Sequence, residues 1–272
     1  MPEYPEIAAR AREMNELLVG KTIAAVEVLQ PKCLNISEEQ FKEALAGAEL
    51  RGTIQRGKWL ATDTSRGWLL FNMGMGGELL LVDRAHLPEK HRLIFDFTDA
   101  TCFAVNFWWF GYAHYLPPGP LEMHEQLARL GPNVLDVSEE QFHQMARGQK
   151  TGVKAFLLDQ ARLAGIGNAY ADEILWCAQI YPFRRRASLS ADEIARLYGC
   201  MRNVLAKAIE VLRERVGDSI DVEVRDFLAV HGKADGECPR CGGRISEITY
   251  ERIATNFCRT CQPGLMVAKG RR

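Results

Sequence analysis

The sequence contains no long hydrophobic run, no internal repeat and no low-complexity tract. No stretch approaches the ~18 uninterrupted apolar residues of a membrane span, and the first residues carry acids where a secretory signal has an apolar core. We therefore expect a cytoplasmic protein that does not enter a membrane. At 272 residues, the chain is long enough to bury a large core and to form about two domains.

A large excess of charge of either sign is also missing, because the net charge is −1. The two halves differ, however. Residues 1–140 carry 13 Lys and Arg against 20 Asp and Glu, whereas residues 141–272 carry 21 against 15. The basic half includes three arginines in a row at 184–186 and a basic tail at 267–272. This pattern fits a polyanionic partner, with a solvated basic surface as the alternative.

Half of the eight cysteines show no metal-binding spacing. They are scattered among apolar neighbours, so we predict small buried side chains. These residues are Cys33, Cys102, Cys177 and Cys200.

The other four cysteines form two C-x-x-C pairs that are separated by sixteen residues. A short hairpin in this gap would bring the pairs together as a tetrahedral four-sulfur zinc site, and two redox dithiols or two disulfides are the alternatives. With no open coordination position, the single zinc ion would be structural. The predicted ligands are Cys238, Cys241, Cys258 and Cys261.

Residues 21–115 carry short segments with the turn signals of β-strands, including TIAAVEVL, GTIQRGKWLATDT and CFAVNFWWF. Strands at this spacing predict a β-sandwich or barrel, interrupted by one helix with Ser37 as its N-cap. After LPPGPLE, the patterns SEEQFHQMAR, GVKAFLLDQARL, GNAYADEILWCAQ and SADEIARLYGCMRNVLAKAIEVLRERV predict helices. The chain is therefore predicted to be α+β.

Two glycine- or proline-containing segments predict further helix starts. In MPEYPEIAAR, Pro5 is expected at the first position of a helix that Gly20 ends. In LAGIGNAYADEILW, Gly165 and Gly167 predict a tight turn, and Asn168 is expected to cap the next helix. The free N–H groups of that helix would form a site for an anion such as a DNA phosphate, with a helix hairpin that binds nothing as the alternative.

The order of five motifs resembles one family, the formamidopyrimidine-DNA glycosylase and endonuclease VIII family of base-excision repair enzymes. The motifs are MPEYPEI, RGKWL, MGMGG, QKTGVKAFLLDQ followed by GIGNAYADE, and the four-cysteine segment that ends in CRTCQ. The resemblance implies a monomer that binds damaged DNA in a cleft. It also implies a catalytic helix and β-sandwich (1–118), a linker with a first helix (119–148), a helix-two-turn-helix domain (149–232), a zinc finger (233–266) and the basic tail (267–272).

The resemblance gives the N-terminus a chemical role. Removal of Met1 would leave Pro2 with a secondary α-amine, and α-amines titrate near ~8, so more of this amine is neutral at pH 7 than of a lysine. In the family, the N-terminal proline is the nucleophile that forms a Schiff base with the damaged nucleotide. Glu3 matches the catalytic acid, and Glu6 would hold the N-terminus in place. Lys58, expected on a strand that Gly57 turns, matches a lysine that contacts a phosphate near the lesion.

The resemblance also implies the DNA contacts. Asn168 and the turn at Gly165–Gly167 match the phosphate-binding motif, and Lys154 matches a lysine near the damaged site, although a lone lysine there could simply be solvated. Met75 matches the methionine that fills the space left by the flipped nucleotide, and spacing alone would place it in the core. Phe110 keeps the position of an intercalating wedge.

Three departures from the family pattern concern DNA recognition. Trp108, followed by Trp109, replaces the arginine that reads the base opposite the lesion; the tryptophans could stack on bases or belong to the sandwich core. Ile253 replaces a phosphate-binding arginine of the finger, and Arg252 lies one residue too early. Only residues 228–229 separate RDF from VHG, where formamidopyrimidine enzymes carry a longer, lesion-covering segment.

The sequence therefore predicts a nucleoid-associated bacterial-type enzyme, a bifunctional DNA glycosylase and abasic-site lyase. It would cut the strand by β,δ-elimination and favour oxidised pyrimidines, hydantoins or abasic sites. One alternative is a damaged-DNA-binding protein of the same fold with impaired catalysis. A zinc-ribbon protein that binds RNA or the ribosome is a second alternative.

Overall fold

The computed structural model describes residues 1–108, 110–147, 151–215, 224–250 and 252–264. Trp109 and the basic tail at 267–272 lie outside the described residues. The chain forms two compact units, which comprise the described residues of Met1–Leu130 with Ile209–Val224, and of Gly131–Ala208 with Arg225–Arg272. Among the described helices, none is long and apolar enough to cross a membrane. The domain boundaries proposed above stay predictions.

The first unit contains two four-stranded antiparallel sheets, with the strand orders β1-β6-β7-β5 and β2-β3-β4-β8. The Phe71 ring of one sheet contacts the Phe95 and Phe103 rings of the other, with centroids 5.9 and 6.1 Å apart. This packing confirms the predicted β-sandwich. The strands are β1 (Ile23–Val28), β2 (Leu50–Arg56), β3 (Trp59–Thr64), β4 (Gly67–Asn72), β5 (Gly77–Asp83), β6 (Leu93–Phe97), β7 (Thr101–Phe107) and β8 (Tyr112–Leu116).

Three helices accompany the sandwich, namely α1 (Tyr4–Leu18), α2 (Glu38–Leu45) and α3 (Glu125–Ala128). Ser37 caps α2 as predicted, because its side chain accepts a hydrogen bond from the Gln40 N–H. The Asn15 side chain of α1 donates to the Thr53 carbonyl and accepts from the Thr53 N–H, both at 2.7 Å. At Thr53, this one side chain thus supplies the hydrogen-bond donor and acceptor that a neighbouring strand would otherwise provide to the edge strand β2.

Two local predictions in this unit need correction. The first helical residue is Tyr4 and Pro5 is the second, because Glu3 already occupies the N-cap position. The segment GTIQRGKWLATDT forms two strands, β2 and β3, and Lys58 lies in the turn between them rather than on a strand. Gly57 makes this turn possible with a left-handed φ of +60°.

The second unit contains α4 (Glu139–Ala146), α5 (Val153–Leu158), α6 (Asn168–Ala178), α7 (Ala191–Arg215) as far as Ala208, and the antiparallel hairpin of β9 (Ile245–Tyr250) and β10 (Ile253–Cys258). These elements confirm the predicted helical domain and C-terminal hairpin.

GVKAFLLDQARL is not one helix, however, because α5 ends at Leu158. Asp159 starts a turn there, since its carboxylate accepts from the Ala161 N–H at 3.1 Å and pairs with Arg162.

The isolated cysteines behave in two ways. Cys33 and Cys102 are buried as predicted. Cys177 and Cys200 form a disulfide with their Cα atoms 5.7 Å apart, so their prediction as separate buried thiols was wrong. Cys177 lies in the last turn of α6 and Cys200 in the middle of α7, and the pairing depends on how these helices pack.

The arginines at 184–186 do not form a basic surface patch. Arg184 pairs with Glu193 and donates to the Ser188 carbonyl. Arg186 is only 2% exposed, lies over the Phe156 ring and donates to the Met145 carbonyl. The triplet therefore gives no support to a polyanion-binding patch, because two of its guanidinium groups are used within the protein.

We expect reduction of the Cys177–Cys200 disulfide to lower the free energy of unfolding by about 2–4 kcal/mol, because the bond closes a loop between residues 23 positions apart. Urea unfolding with and without a phosphine reductant measures the difference, with metal content held constant. Cys200→Ala is the control and should not respond to the reductant. Equal midpoints for the oxidised and reduced wild type would contradict the expectation.

Candidate functional site

The N-terminal residues are fixed by a reciprocal capping box at the start of α1. Glu3 is the N-cap, and the Glu6 carboxylate accepts a hydrogen bond from the Glu3 N–H at 2.9 Å. Glu3 and Glu6 are only 3% and 7% exposed. Because Glu6 holds the peptide group that directly follows Pro2, the position of Pro2 relative to the Glu3 carboxylate is restricted.

Gln55 connects the start of α1 to the turn that carries Lys58. Its side-chain amide donates to the Tyr4 carbonyl at 2.8 Å and to the Gly57 carbonyl at 3.1 Å. The Lys58 side chain is half-buried. Sequence reasoning missed Gln55, although a polar residue directly before the RGK turn was a usable signal. Glu3, Glu6 and Lys58 thus belong to one connected region of the first unit.

Three large apolar side chains of the first unit are exposed on two loops. Met75, Trp108 and Phe110 expose 46%, 42% and 78% of their surfaces. The loops are joined by a 2.9 Å hydrogen bond from the Trp108 N–H to the Gly76 carbonyl. Spacing alone placed Met75 in the core, and Trp108 had the core as an alternative; neither is buried. Exposure of this kind is typical of a contact surface.

Gly165, Gly167 and Asn168 lie together at the start of α6, as predicted, but Gly167 rather than Asn168 is the N-cap. Asn168 is the first helical residue, and its side-chain amide donates to the Ala254 carbonyl of β10 at 2.8 Å. Gln160 supports the turn, because its amide accepts from the Gly165 N–H and donates to the Ile166 carbonyl. The side chain of Asn168 therefore connects the turn to the hairpin.

Lys154 is buried, with 6% of its surface exposed. Its ammonium group lies 2.6 Å from Asp172 Oδ1 and 2.8 Å from Thr255 Oγ1, so the alternative of a solvated lysine is wrong. Its predicted DNA contact stays a prediction. Asp172 is fully buried, and its second oxygen contacts His231 Nδ1 at 2.8 Å and accepts from the Asn256 N–H at 3.1 Å.

Glu173, the next residue of α6, binds a loop of the backbone. Its carboxylate accepts from the N–H groups of Ala229, Val230 and His231, each at 2.8 Å. Burial raises the pKa of Glu173, while the three N–H donors act in the opposite direction. Glu173 and Asp172 were not predicted as site residues, since a D-E pair inside a helix pattern usually indicates a solvated face.

The four predicted metal ligands meet at one point, with their sulfur atoms all within 4.8 Å of one another. They could hold one metal ion, as C-x-x-C pairs on a hairpin do. Desolvation raises the pKa of Cys238, but hydrogen bonds, led by that of the Trp176 indole N–H at 3.3 Å, outweigh it and bring the pKa to about 6. For Cys258 and Cys261, burial together with hydrogen bonds from the neighbouring thiols raises the pKa, so the ionisation of each thiol in this cluster depends on the others.

Two exposed apolar side chains flank the turn of the β9–β10 hairpin. Tyr250 and Ile253 lie directly opposite each other and are 63% and 42% exposed. Arg252 is exposed in the turn, with a left-handed φ of +66°. Arg252 therefore lies in the turn, whereas Ile253 occupies the strand position at which the family pattern has an arginine.

Comparisons with known proteins agree over nearly the whole chain. Residues 1–106 match the model of the formamidopyrimidine-DNA glycosylase N-terminal domain, and residues 130–219 match that of the formamidopyrimidine-DNA glycosylase H2TH domain. A formamidopyrimidine-DNA glycosylase of Symbiobacterium thermophilum is 34% identical, with 97% of this chain and 90% of the relative covered. One of Marinomonas is 32% identical, with 96% and 100% covered.

Solved structures give the same result for the fold. The complex of the Lactococcus lactis Fpg with an abasic site containing DNA has a TM-score of 0.88 at 28% identity, with 96% of this chain and 100% of that chain covered. MutM in complex with carbocyclic 8-oxo-G containing DNA has a TM-score of 0.87 at 29% identity, with 97% and 100% covered.

We expect Asp172→Asn to lower the free energy of unfolding by about 3–5 kcal/mol, because the buried Lys154 ammonium would lose its charge partner. Urea unfolding measures the loss, and the double variant Asp172→Asn, Lys154→Met should recover part of it. Asp235→Asn, which breaks an ion pair with side chains 73% and 74% exposed, should cost only about 0–1 kcal/mol. Equal effects of the two single variants would refute the buried pair's importance.

Proposed function

This chain belongs to the formamidopyrimidine-DNA glycosylase and endonuclease VIII family, and from this premise we propose that it is a DNA glycosylase of base-excision repair with abasic-site lyase activity. The names of the relatives and the DNA in the solved complexes support damaged DNA as its partner. The observation that carries the proposal is the arrangement of Glu6 and Gln55, which fixes the backbone beside Pro2, Glu3 and the Lys58 turn.

In the proposed reaction, the nucleophile is the α-amine of Pro2 after Met1 has been removed. Its nitrogen attacks C1′ and gives up its proton while the glycosidic bond breaks, and the base leaves with the bonding electrons and takes up a proton. Glu3 protonates the opening sugar, which leaves a Schiff base between Pro2 and C1′. Loss of the C2′ proton then expels the 3′ phosphate, and a second elimination expels the 5′ phosphate.

The proposed DNA contacts lie in both units. Lys58 contacts a phosphate near the lesion, and Asn168 with the turn at Gly165–Gly167 binds another. Met75 and Phe110, both exposed, fill the space from which the damaged nucleotide flips. Arg252 adds a charge at the hairpin tip. We assign Lys154 a positioning role, because its ammonium group already binds Asp172 and Thr255.

The proposed metal is one structural zinc ion. Four thiolates suit zinc, and a closed four-sulfur site leaves no position for substrate. The residues present fit this ion, since the four sulfur atoms already converge and the Trp176 indole N–H contacts Cys238 Sγ. The ion would stabilise the hairpin that brings Ala254 to Asn168.

We propose a preference for oxidised pyrimidines, hydantoins or abasic sites over 8-oxoguanine opposite cytosine. Trp108 has one hydrogen-bond donor and cannot imitate the paired donors of an arginine. The short segment at 228–229 supports the same preference.

A damaged-DNA-binding protein without turnover is the alternative, which the substitutions at Trp108 and Ile253 favour. Glu3, Glu6 and Gln55 argue against it, because binding alone does not require a fixed N-terminus.

Borohydride trapping tests the catalytic proposal. We expect protein that lacks Met1 to form a covalent adduct with a duplex that contains an abasic site, because borohydride reduces the Schiff base. Pro2→Gly and acetylation of the N-terminus should abolish the adduct, whereas Pro5→Ala should keep it. Tight DNA binding without trapping would support the binding protein instead, and stronger binding to RNA than to DNA would support the RNA-binding alternative.

Single-turnover excision tests the lesion preference. We expect 8-oxoguanine opposite cytosine to be removed roughly tenfold more slowly than an oxidised pyrimidine, a difference within the range of one lost bidentate contact. Trp108→Arg should restore selection of cytosine as the opposite base. Equal rates for the two lesions in the wild type would rule out the preference without affecting the lyase proposal.

A further inference from the structure

The last turn of α6 is held by a disulfide that the proposed reaction does not use. Cys177 of this turn is bonded to Cys200 of α7, with the two Cα atoms 5.7 Å apart. Arg196 of α7 also donates from Nε to the Ala178 carbonyl at 2.8 Å. These residues all belong to the second unit. A covalent bond and a hydrogen bond therefore connect the end of α6 to α7.

The same turn of α6 contacts the four-cysteine cluster. The Trp176 indole N–H donates to Cys238 Sγ at 3.3 Å. The Arg240 guanidinium lies 4.2 Å from the Trp176 ring centroid and donates to the Trp176 carbonyl at 2.9 Å. Because Trp176 directly precedes Cys177 in the sequence, the disulfide and a metal ligand are connected through one side chain.

Gln262 provides a second connection between the end of α6 and the cluster. This buried side chain donates to the Ile180 carbonyl at 2.9 Å and accepts from the Cys258 N–H at 3.0 Å. Ile180 lies two residues beyond the end of α6. A displacement of the last turn of α6 would therefore move groups that contact two of the four ligands, Cys238 and Cys258.

The two sulfur atoms of the disulfide differ in exposure. Cys177 is half-buried, whereas Cys200 is buried with 9% of its surface exposed. Thiol–disulfide exchange begins when a thiolate attacks an accessible sulfur atom. The accessible sulfur atom of this bond is that of Cys177.

We propose that Cys177–Cys200 is a site of reversible thiol–disulfide exchange whose oxidation state sets the affinity of the four-cysteine cluster for zinc. A thiolate of a dithiol reductant attacks Cys177 Sγ and expels the Cys200 thiolate, which takes up a proton. The second thiolate of the reductant then attacks its partner sulfur in this mixed disulfide and expels Cys177, which is also protonated, so two electrons pass to the protein. The inference rests on the proposed function, because it requires the proposed zinc ion.

The direction of the coupling follows from the restraint that the disulfide imposes. In the oxidised chain, the turn that carries Trp176 is already fixed when the metal binds. In the reduced chain, metal binding must also order this turn, which lowers the affinity.

The coupling suits an enzyme that acts on oxidised bases. Disulfides of proteins in the reducing cytosol are usually transient and redox-sensing. Oxidants that damage bases also convert thiols to disulfides. The chain would therefore hold its zinc most tightly under the conditions that form its proposed substrates.

Zinc affinity tests the coupling. Zinc-loaded full-length protein is kept oxidised, or is reduced with a phosphine and desalted without air, and each form is equilibrated with a chelator of known zinc affinity. We expect the oxidised form to bind zinc about 5- to 150-fold more tightly, the usual range of coupling between two sites. Equal affinities would overturn the proposal.

Three variants separate this coupling from a general loss of stability. Cys200→Ala should show the lower affinity under both conditions. Cys102→Ala, at a buried cysteine of the first unit, is the matched control and should keep the ratio of the two affinities. Trp176→Phe keeps the disulfide and an aromatic ring but removes the indole N–H, so the ratio should fall. An unchanged ratio in Trp176→Phe would overturn the proposed connection.

Mapping of the modified sulfur tests the site of attack. Oxidised, zinc-loaded protein is mixed with glutathione, quenched with N-ethylmaleimide and analysed by mass spectrometry. We expect glutathione on Cys177 and maleimide on Cys200, because Cys177 is the more exposed of the two. The reverse pattern, or no exchange at either cysteine, would overturn the proposed exchange.

Borohydride trapping by the zinc-loaded wild type reports the enzyme proposal independently. Trapping together with equal zinc affinities would overturn the redox inference alone. A zinc affinity that depends on the disulfide, without trapping, would overturn the enzyme proposal alone.

Discussion

The fully buried carboxylate of Asp172 is the interaction on which the second unit depends. A charge without solvent is costly unless it is paired and hydrogen-bonded, and Asp172 satisfies this condition with three partners from three segments. Lys154 comes from α5, His231 from the loop before the hairpin and Asn256 from β10. A single side chain of α6 therefore fixes three segments that are far apart in the sequence.

Glu173, the next residue of α6, likewise uses a buried carboxylate to fix a segment, here a backbone without regular secondary structure. Buried N–H groups need acceptors, and the segment at 229–231 obtains them from one carboxylate. This explains how the short connection at 228–229 is held without a longer loop. Asp172 and Glu173 thus position the hairpin and the segment before it from the middle of α6. The Ala254 carbonyl then accepts from both Asn168 and Lys154, so the hairpin and the glycine turn share one hydrogen-bonded junction.

The sequence predicted features whose chemistry is local and missed those that depend on packing. The Ser37 cap and the two C-x-x-C pairs are recognisable because their spacing alone determines what they can do. The Cys177–Cys200 bond and the Lys154–Asp172 pair join helices whose contact no local pattern encodes. The contact of Gln55 with the start of α1 was missed for the same reason, because the Tyr4 carbonyl that it binds lies 51 residues away in the sequence.

In the proposed function, the substitutions at Trp108 and Ile253 would change DNA binding in one direction, although they lie in different units. The family pattern has an arginine at each position, one that reads a base and one that binds a phosphate. Here both side chains are apolar and 42% exposed, and Ile253 lies opposite the exposed Tyr250. Binding of an arginine to a phosphate weakens as the salt concentration rises, and stacking depends less on salt. Stacking also distinguishes the bases only weakly. The proposed catalytic corner is held in another way, because Glu6 and Gln55 bind the backbone groups of Glu3 and Tyr4. The proposed loss of opposite-base selection is therefore compatible with the geometry that the proposed chemistry requires.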